Sequence, residues 1–275
     1  MEEEIIIIYC VCDDLLKALG IADDPQARMS NAEVMTVALV AARYDGGNLE
    51  QSRQFLAEQG YIPNMLGKSR YNRRLRAIPE NVWQALLDLL ATIFKFTNEG
   101  QEYCLDSFPV PVCDNIRIRR CRLYQEEDYR GYLPSKRRYF YGLRVHLVVT
   151  KTGEPVEFVL APGRGARQDC RVLKQLNLDL PEGATLYGDK AYNDYEYEDL
   201  LEEAAGIRLR PIRKKNSVRA LPACVEFIQQ QARKRIETTI SQITSLFPKK
   251  IHAVTPRGFE LKVSLFILAF AFRCL

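Results

Sequence analysis

Near residue 101 the apolar side chains change their spacing, and that change divides the chain into two kinds of structure. Before it, the spacing is helical. IIIIYCVCDDLLKAL reads as a first helix, and Ser30-Asn31-Ala32-Glu33 is a capping-box pattern opening AEVMTVALVAARY. Gly46-Gly47-Asn48 breaks the chain before LEQSRQFLAEQG, which Gly60 ends. A new start at Ser69 leads into RYNRRLRAI, and NVWQALLDLLATIFKF closes the region after Pro79. After it, strands take over. EYCLDSFPVPVC is extended, RYFYGLRVHLVVT alternates and is β-branched, Lys151-Thr152-Gly153-Glu154 turns the chain, and PVEFVLAPG returns. RQDCRVLKQLNLDL then reads as a helix, ATLYGD as a strand, YEYEDLLEEAAG as a helix and IRLRPIRK as a strand. VEFIQQQARKRIETTISQITSLF is a long helix, and GFELKVSLFILAFAFRCL is the last.

Three strands, helix, strand, helix, strand and two helices suit an α/β mixed sheet flanked by helices. This is the element order of a ribonuclease-H-like domain. The reading predicts an all-helical domain over 1–98, for DNA binding or oligomerisation, and a catalytic domain over 99–275. Three short helices in the first, the last dense in Arg, are arranged in the manner of a helix-turn-helix.

The net charge of +4 conceals an uneven distribution. Residues 1–60 hold 11 acidic and 4 basic side chains, whereas 62–78 hold five basic ones and no acid. Residues 114–144 hold nine basic against four acidic, and 207–235 nine against one. Basic blocks in a near-neutral chain point to a polyanion met by particular faces. No apolar run reaches the roughly 18 residues of a membrane span. The eight Cys are scattered without a CxxC, and three Glu precede the first apolar tract, so reduced thiols in a cytosolic protein are expected. With only His146 and His252 in the chain, no zinc site is expected.

Three carboxylates carry the chemistry. Asp106 lies on an apolar strand, where a charge is costly unless something cationic offsets it. Asp189 ends a short strand, and ligands of open sheets collect at strand carboxyl ends. Glu237 flanks the apolar stripe Ile236, Ile240, Ile243 and Phe247 of the long helix. Each has a plainer reading: Asp189 as the cap of the next helix, Glu237 as an i,i+4 partner of Arg233, Asp106 as a structural acid. Converging acids suit hard cations and phosphodiester chemistry, with two Mg²⁺ (or Mn²⁺) ions about 4 Å apart. In that arrangement Asp106 bridges both ions, Asp189 and Glu237 take one each, and Lys190 and Arg233 meet phosphates.

The stretches AEVMTVALVAARYDGGN, MLGKSRYNRRL, YCLDSFPVPVCDNIRI, YGLRVHLVVTKTGEPVEFVLAPG, GDKAYND, RKRIETTISQI and FELKVSLFILAFAF extend over almost the whole chain. They resemble insertion-sequence transposases with a DDE acid triad, most closely the family numbered 982 among bacterial insertion sequences. The resemblance implies Asp106, Asp189 and Glu237 as the catalytic and metal-binding triad. It also implies Mg²⁺ or Mn²⁺, terminal inverted repeats as the DNA recognised, and an oligomer, a dimer, on DNA. Asp169 acquires no role from it, and His146 is open between the active site and the core.

The expected activity is cutting of DNA at element ends and joining of the 3′-OH to target DNA, in a cytoplasmic protein held at the nucleoid by DNA. Two alternatives stay open: a metal-dependent nuclease without strand transfer, and a catalytically silent DNA-binding regulator. For DNA contact the basic blocks nominate Arg70, Arg73 and Arg74 at the element end, with Arg117, Arg119, Arg137, Arg138, Lys190, Arg213, Lys214, Lys215 and Arg233 clamping phosphates beside the acids.

Overall fold

The computed structural model describes residues 1–275 except 134–135, 165–168 and 214–216. It divides into two compact units, Met1–Leu90 with Gln242–Ala253 and Arg257–Leu275, and Ala91–Ser241 with Val254–Pro256.

The first unit is helical. α1 (Glu2–Ala18), α2 (Asn31–Tyr44), α3 (Leu49–Glu58) and α4 (Lys68–Ala77) follow one another. The capping box forms as expected: Ser30 accepts from the Glu33 N–H while Glu33 accepts from the Ser30 N–H. Every residue of α2 from Val34 to Ala42 is buried, so this helix runs through the core. α4 lies against it, and the buried Tyr71 hydroxyl donates to the Val34 carbonyl at 3.0 Å. α5 (Glu80–Thr97) begins in this unit and continues into the second. α9 (Pro256–Cys274) is buried all round from Leu265 to Phe272, as VSLFILAFAF suggests for a core helix. It belongs to the helical unit, whereas the sequence pattern groups it with the strands that precede it.

The second unit carries a six-stranded mixed sheet. β1 (Glu102–Asp114), β3 (Arg138–Thr150) and β4 (Pro155–Pro162) are antiparallel neighbours. β5 (Thr185–Gly188) lies parallel to β1 on its other side, and β6 (Arg208–Pro211) parallel to β5. The order β4-β3-β1-β5-β6 is ribonuclease-H-like, with α7 (Tyr195–Ala205) connecting β5 to β6 and α8 (Ala223–Ser245) following the last strand. Pairing of β1 with β5 stops at Leu105↔Gly188. Beyond it that edge of β1 is open, which is why Pro109 and Pro111, lacking N–H donors, are tolerated in the strand.

Two elements differ from the sequence reading. A short strand β2 (Arg130–Leu133) pairs with the start of β3, and four residues are too few to show a period. The helix expected over RQDCRVLKQLNLDL shrinks to α6 (Asp169–Leu173). Leu176 still reaches back to the Val172 carbonyl, but Asn177 to Pro181 then turn through local contacts, so the apolar period outlasts the helix. Gly165–Gln168 lie outside the described residues.

Candidate active site

Strand register brings the first two acids together. Leu105 is opposite Gly188 in the parallel β1–β5 pair, so Asp106 and Asp189 are the next residues on neighbouring chains. Asp189 follows the carboxyl end of β5, where ligands of open sheets collect, whereas Asp106 lies within β1, which runs on to Asp114. The Ser107 N–H donates to Asp106 Oδ1 at 2.7 Å. Burial is the largest influence on Asp106 and pushes its carboxyl up to about 6, with Asp189 and Glu237 adding to the rise against the Ser107 N–H and Arg233. Asp189 begins a one-turn helix, Lys190–Tyr192, but its side chain caps nothing there, so the capping explanation for this acid is excluded.

Glu237 arrives on α8, which is fastened to the sheet at two points. Buried Gln229 donates its amide to the Arg210 and Pro211 carbonyls at the end of β6. Six residues beyond Arg233, the buried Thr239 hydroxyl donates to the Gly153 carbonyl at 3.1 Å in the β3–β4 turn. Gly153 has φ +102°, and a Cβ there would meet Thr239 Oγ1 at 2.5 Å and Arg235 Nε at 2.7 Å. Only glycine lets α8 come this close. Gln229 carried no sequence signal, because an uncharged residue on a basic helix looks like surface.

Arg233 joins the two outer acids. Its Nε donates to Glu237 Oε1 at 2.8 Å, and its Nη1 lies 3.5 Å from Asp189 Oδ1. Glu237 is therefore an i,i+4 partner of Arg233 and a member of the acid cluster at once. Cys104, Leu105, Tyr187, Gln229 and Ile236 complete a narrow cleft around Asp106, Asp189 and Arg233.

Among the described residues, no three His, Cys, Asp or Glu side chains are drawn tightly enough to enclose a metal ion. The donor set nonetheless fits a hard divalent cation. It offers carboxylate oxygens from three elements, one of them pushed up to about 6 chiefly by burial and further by the two neighbouring acids. His146 is not among the donors. It is buried on β3, its Nδ1 is 2.9 Å from the Tyr192 hydroxyl, and burial followed by the Arg144 charge lowers its pKa to about 3. It is a neutral core imidazole tied to the turn that follows Asp189.

The basic residues separate into three groups. Arg70, Arg73, Arg117, Arg119, Arg137 and Lys190 are exposed and form no ion pair among the described residues. Arg74 is engaged by Asn31 Oδ1 at 2.9 Å and Asp23 at 3.9 Å, and Arg138 by Asp114 at 3.1 Å. The Arg213 side chain is nearly covered: its two Nη atoms each meet Glu198 at 2.7 Å, Nη1 also reaches Asn193 Oδ1 at 2.9 Å, and the guanidinium lies over the Tyr195 ring. Glu198 and Arg213 are too far apart in sequence for any local pattern to pair them. Lys214 and Lys215 lie outside the described residues, and the Asp169 side chain is not described.

A family model described as a transposase DDE domain matches residues 97–252. No curated protein matches the chain. Among solved structures, the chain is similar to a piggyBac transposase synaptic complex with hairpin DNA at 10% identity and a TM-score of 0.47, covering 96% of this chain and 71% of that one. It is also similar to a Mos1 transposase paired-end complex with the left transposon end, at 12% identity and a TM-score of 0.25, over 84% and 82% of the two chains. A pre-cleavage Mos1 transpososome matches at 11% identity and a TM-score of 0.25, over 90% and 79%. The family match spans more than half of the chain and includes all three acids, and the chain belongs to the family of transposase DDE domains.

Proposed function

We propose that the protein cuts DNA at the ends of a mobile element and joins the freed 3′-OH to target DNA, with Asp106, Asp189 and Glu237 as the catalytic acids. The observation that carries this is the register that sets Asp106 beside Asp189, with Arg233 linking Asp189 to Glu237. The acids would hold two Mg²⁺ or Mn²⁺ ions, which when bound activate the attacking oxygen and stabilise the leaving one. Asp106, whose carboxyl feels both Asp189 and Glu237, would be the acid that contributes to holding both ions. Its carboxyl must be ionised to act so, and burial opposes that below about pH 6. Arg233 acts electrostatically on all three acids and is the cation offered to the scissile phosphate. Gln229 and Thr239 keep Glu237 facing the sheet end while the DNA strand is exchanged. We further infer membership of the insertion-sequence family numbered 982, recognition of terminal inverted repeats, and action as an oligomer on DNA in the bacterial cytosol. No helix among the described residues is long and apolar enough to cross a membrane.

The test is cleavage of a labelled duplex carrying the element's terminal repeat, with Mg²⁺ or Mn²⁺, by wild type and Asp189→Asn. Metal-dependent cuts at the repeat end, absent in the variant, are expected, together with joined products. Cuts without joining would leave a nuclease. Binding without cleavage would leave a regulator.

A further inference from the structure

The helical unit contains a cavity of about 530 Å³ that the acid chemistry does not use. Its walls come from the Gly46–Gly47 turn, the first turns of α3 and α4, the 248–252 segment and α9. Gly47, at φ +78°, packs directly on the Phe266 ring, where a Cβ would lie 3.0 Å from Cζ. Phe266 and Tyr71, both buried, back the pocket behind the Gly47 turn and α4.

The charge on the walls is net positive. Two acids line the cavity, and both are engaged: Glu50 with Arg53 at 2.7 Å, and Asp45 as acceptor of the Ser52 hydroxyl. Lys68, Lys250 and Lys262 also line it, and none forms an ion pair among the described residues. Lys262 Nζ donates to the His252 carbonyl at 2.5 Å, and burial followed by the Arg76 charge holds it below the usual lysine range. Arg53 is 8% exposed, and its buried Nε has no hydrogen-bond partner. α4 opens with Gly67 as cap and Lys68 first, so no side chain satisfies its first-turn N–H groups. Amide Nδ2 and Oδ1 of Asn72 add neutral hydrogen-bonding capacity on the same wall.

A three-lysine wall on a half-open pocket backed by buried aromatic rings matches one chemistry. We propose that this cavity binds a single phosphate ester with its attached nucleoside, the phosphate against Lys68, Lys250 and Lys262 and the nucleoside toward Phe266 and Tyr71. Its volume is within the ~300–1,000 Å³ of small-molecule sites, enough for one nucleotide. The nucleotide is either a unit of a DNA strand or free in solution. The first source rests on the function proposed above, and the second does not.

The experiment compares wild type with Lys68→Gln/Lys250→Gln/Lys262→Gln. Binding of a labelled duplex of arbitrary sequence is measured by anisotropy across a salt series, and binding of deoxyadenosine monophosphate by calorimetry. One phosphate held by all three lysines flattens the log–log salt slope by about 0.9 in the variant. Three lysines on three separate phosphates would flatten it by about 2.7, which overturns the single-ester pocket. An unchanged slope with monophosphate binding lost in the variant assigns the free nucleotide. An unchanged slope with no monophosphate binding by wild type overturns the proposal. A wild type that binds no duplex counts against the DNA reading, and the monophosphate arm still decides the cavity. Lys68 and Lys250 are exposed, so the double variant Lys68→Gln/Lys250→Gln serves if the triple variant does not fold.

Discussion

Arg213 offers a choice between a DNA clamp and a structural ion. It is replaced by methionine, which keeps the length of the side chain and removes its charge. In the wild type the Arg213 and Glu198 side chains are 7% and 6% exposed, with two contacts of 2.7 Å between them. Removing one partner of such a pair costs about 3–5 kcal/mol, because the remaining charge stays buried. Here Arg219 lies 3.6 Å from the same Glu198 oxygen and takes over part of the compensation, which points to the lower end, about 3 kcal/mol. For a unit of this size that lowers Tm by about 6–12 °C. Thermal unfolding followed by circular dichroism reads the shift. Arg213→Met/Glu198→Met removes both charges and is expected within about 1 kcal/mol of wild type. Arg213→Met with an unchanged Tm and a loss of DNA affinity would refute this reasoning and restore the clamp. The single variant is also expected to loosen the Asp189 turn, since Asn193 is held both by Arg213 and through its own amide to the Ile212 carbonyl at 2.8 Å.

Three further outcomes follow from the geometry. Asp106 has its carboxyl raised from 3.8 to about 6, so the folded state holds the proton more tightly than the unfolded chain. Stability without divalent cation should therefore fall as pH rises from about 4 through about 6, by up to about 3 kcal/mol, in urea titrations at stepped pH; Asp106→Asn should abolish the fall. Tyr192→Phe removes the hydroxyl 2.9 Å from His146 and is expected to cost about 1 kcal/mol, read by urea unfolding, with a larger loss in metal-dependent cleavage than in DNA binding because the turn after Asp189 loosens. Ser30→Ala deletes the α2 capping box and should cost about 1 kcal/mol in the same denaturation assay.

Local rules account for what was legible in sequence. The capping box and the apolar α9 depend on neighbours within a turn or a helix and appear as read, whereas β3 forms where expected but is buried almost throughout instead of on alternate residues. The element order was enough for the ribonuclease-H-like sheet, because parallel strands joined through helices have few arrangements. Choices among distant partners were not legible. Nothing near Arg213 marks Glu198 as its counter-ion, so a nearly covered side chain looked like part of a basic surface. Gln229 and Gly153 matter through contacts with segments far along the chain. His146 was open between site and core until Tyr192 was found against it. β2 meets β3 through its backbone and through Tyr132 against Tyr139, but its four residues carry too little pattern to announce a strand.

The helical unit is assembled from the first 90 residues and from segments beyond residue 241. During synthesis its opening helices leave the ribosome long before α9 exists. Until α9 arrives, the Gly47 turn lacks the Phe266 ring that packs on it, and the helices face water with an incomplete core. The sheet-bearing unit lies between and can close first, since all but three of its residues precede Gln242. A message broken before α9 would thus yield a chain with a complete set of acids attached to an unfinished helical body. Exposed apolar surface of that kind is what chaperones and proteases recognise. Closure of the helical core thus waits on a segment made long after the helices that it completes.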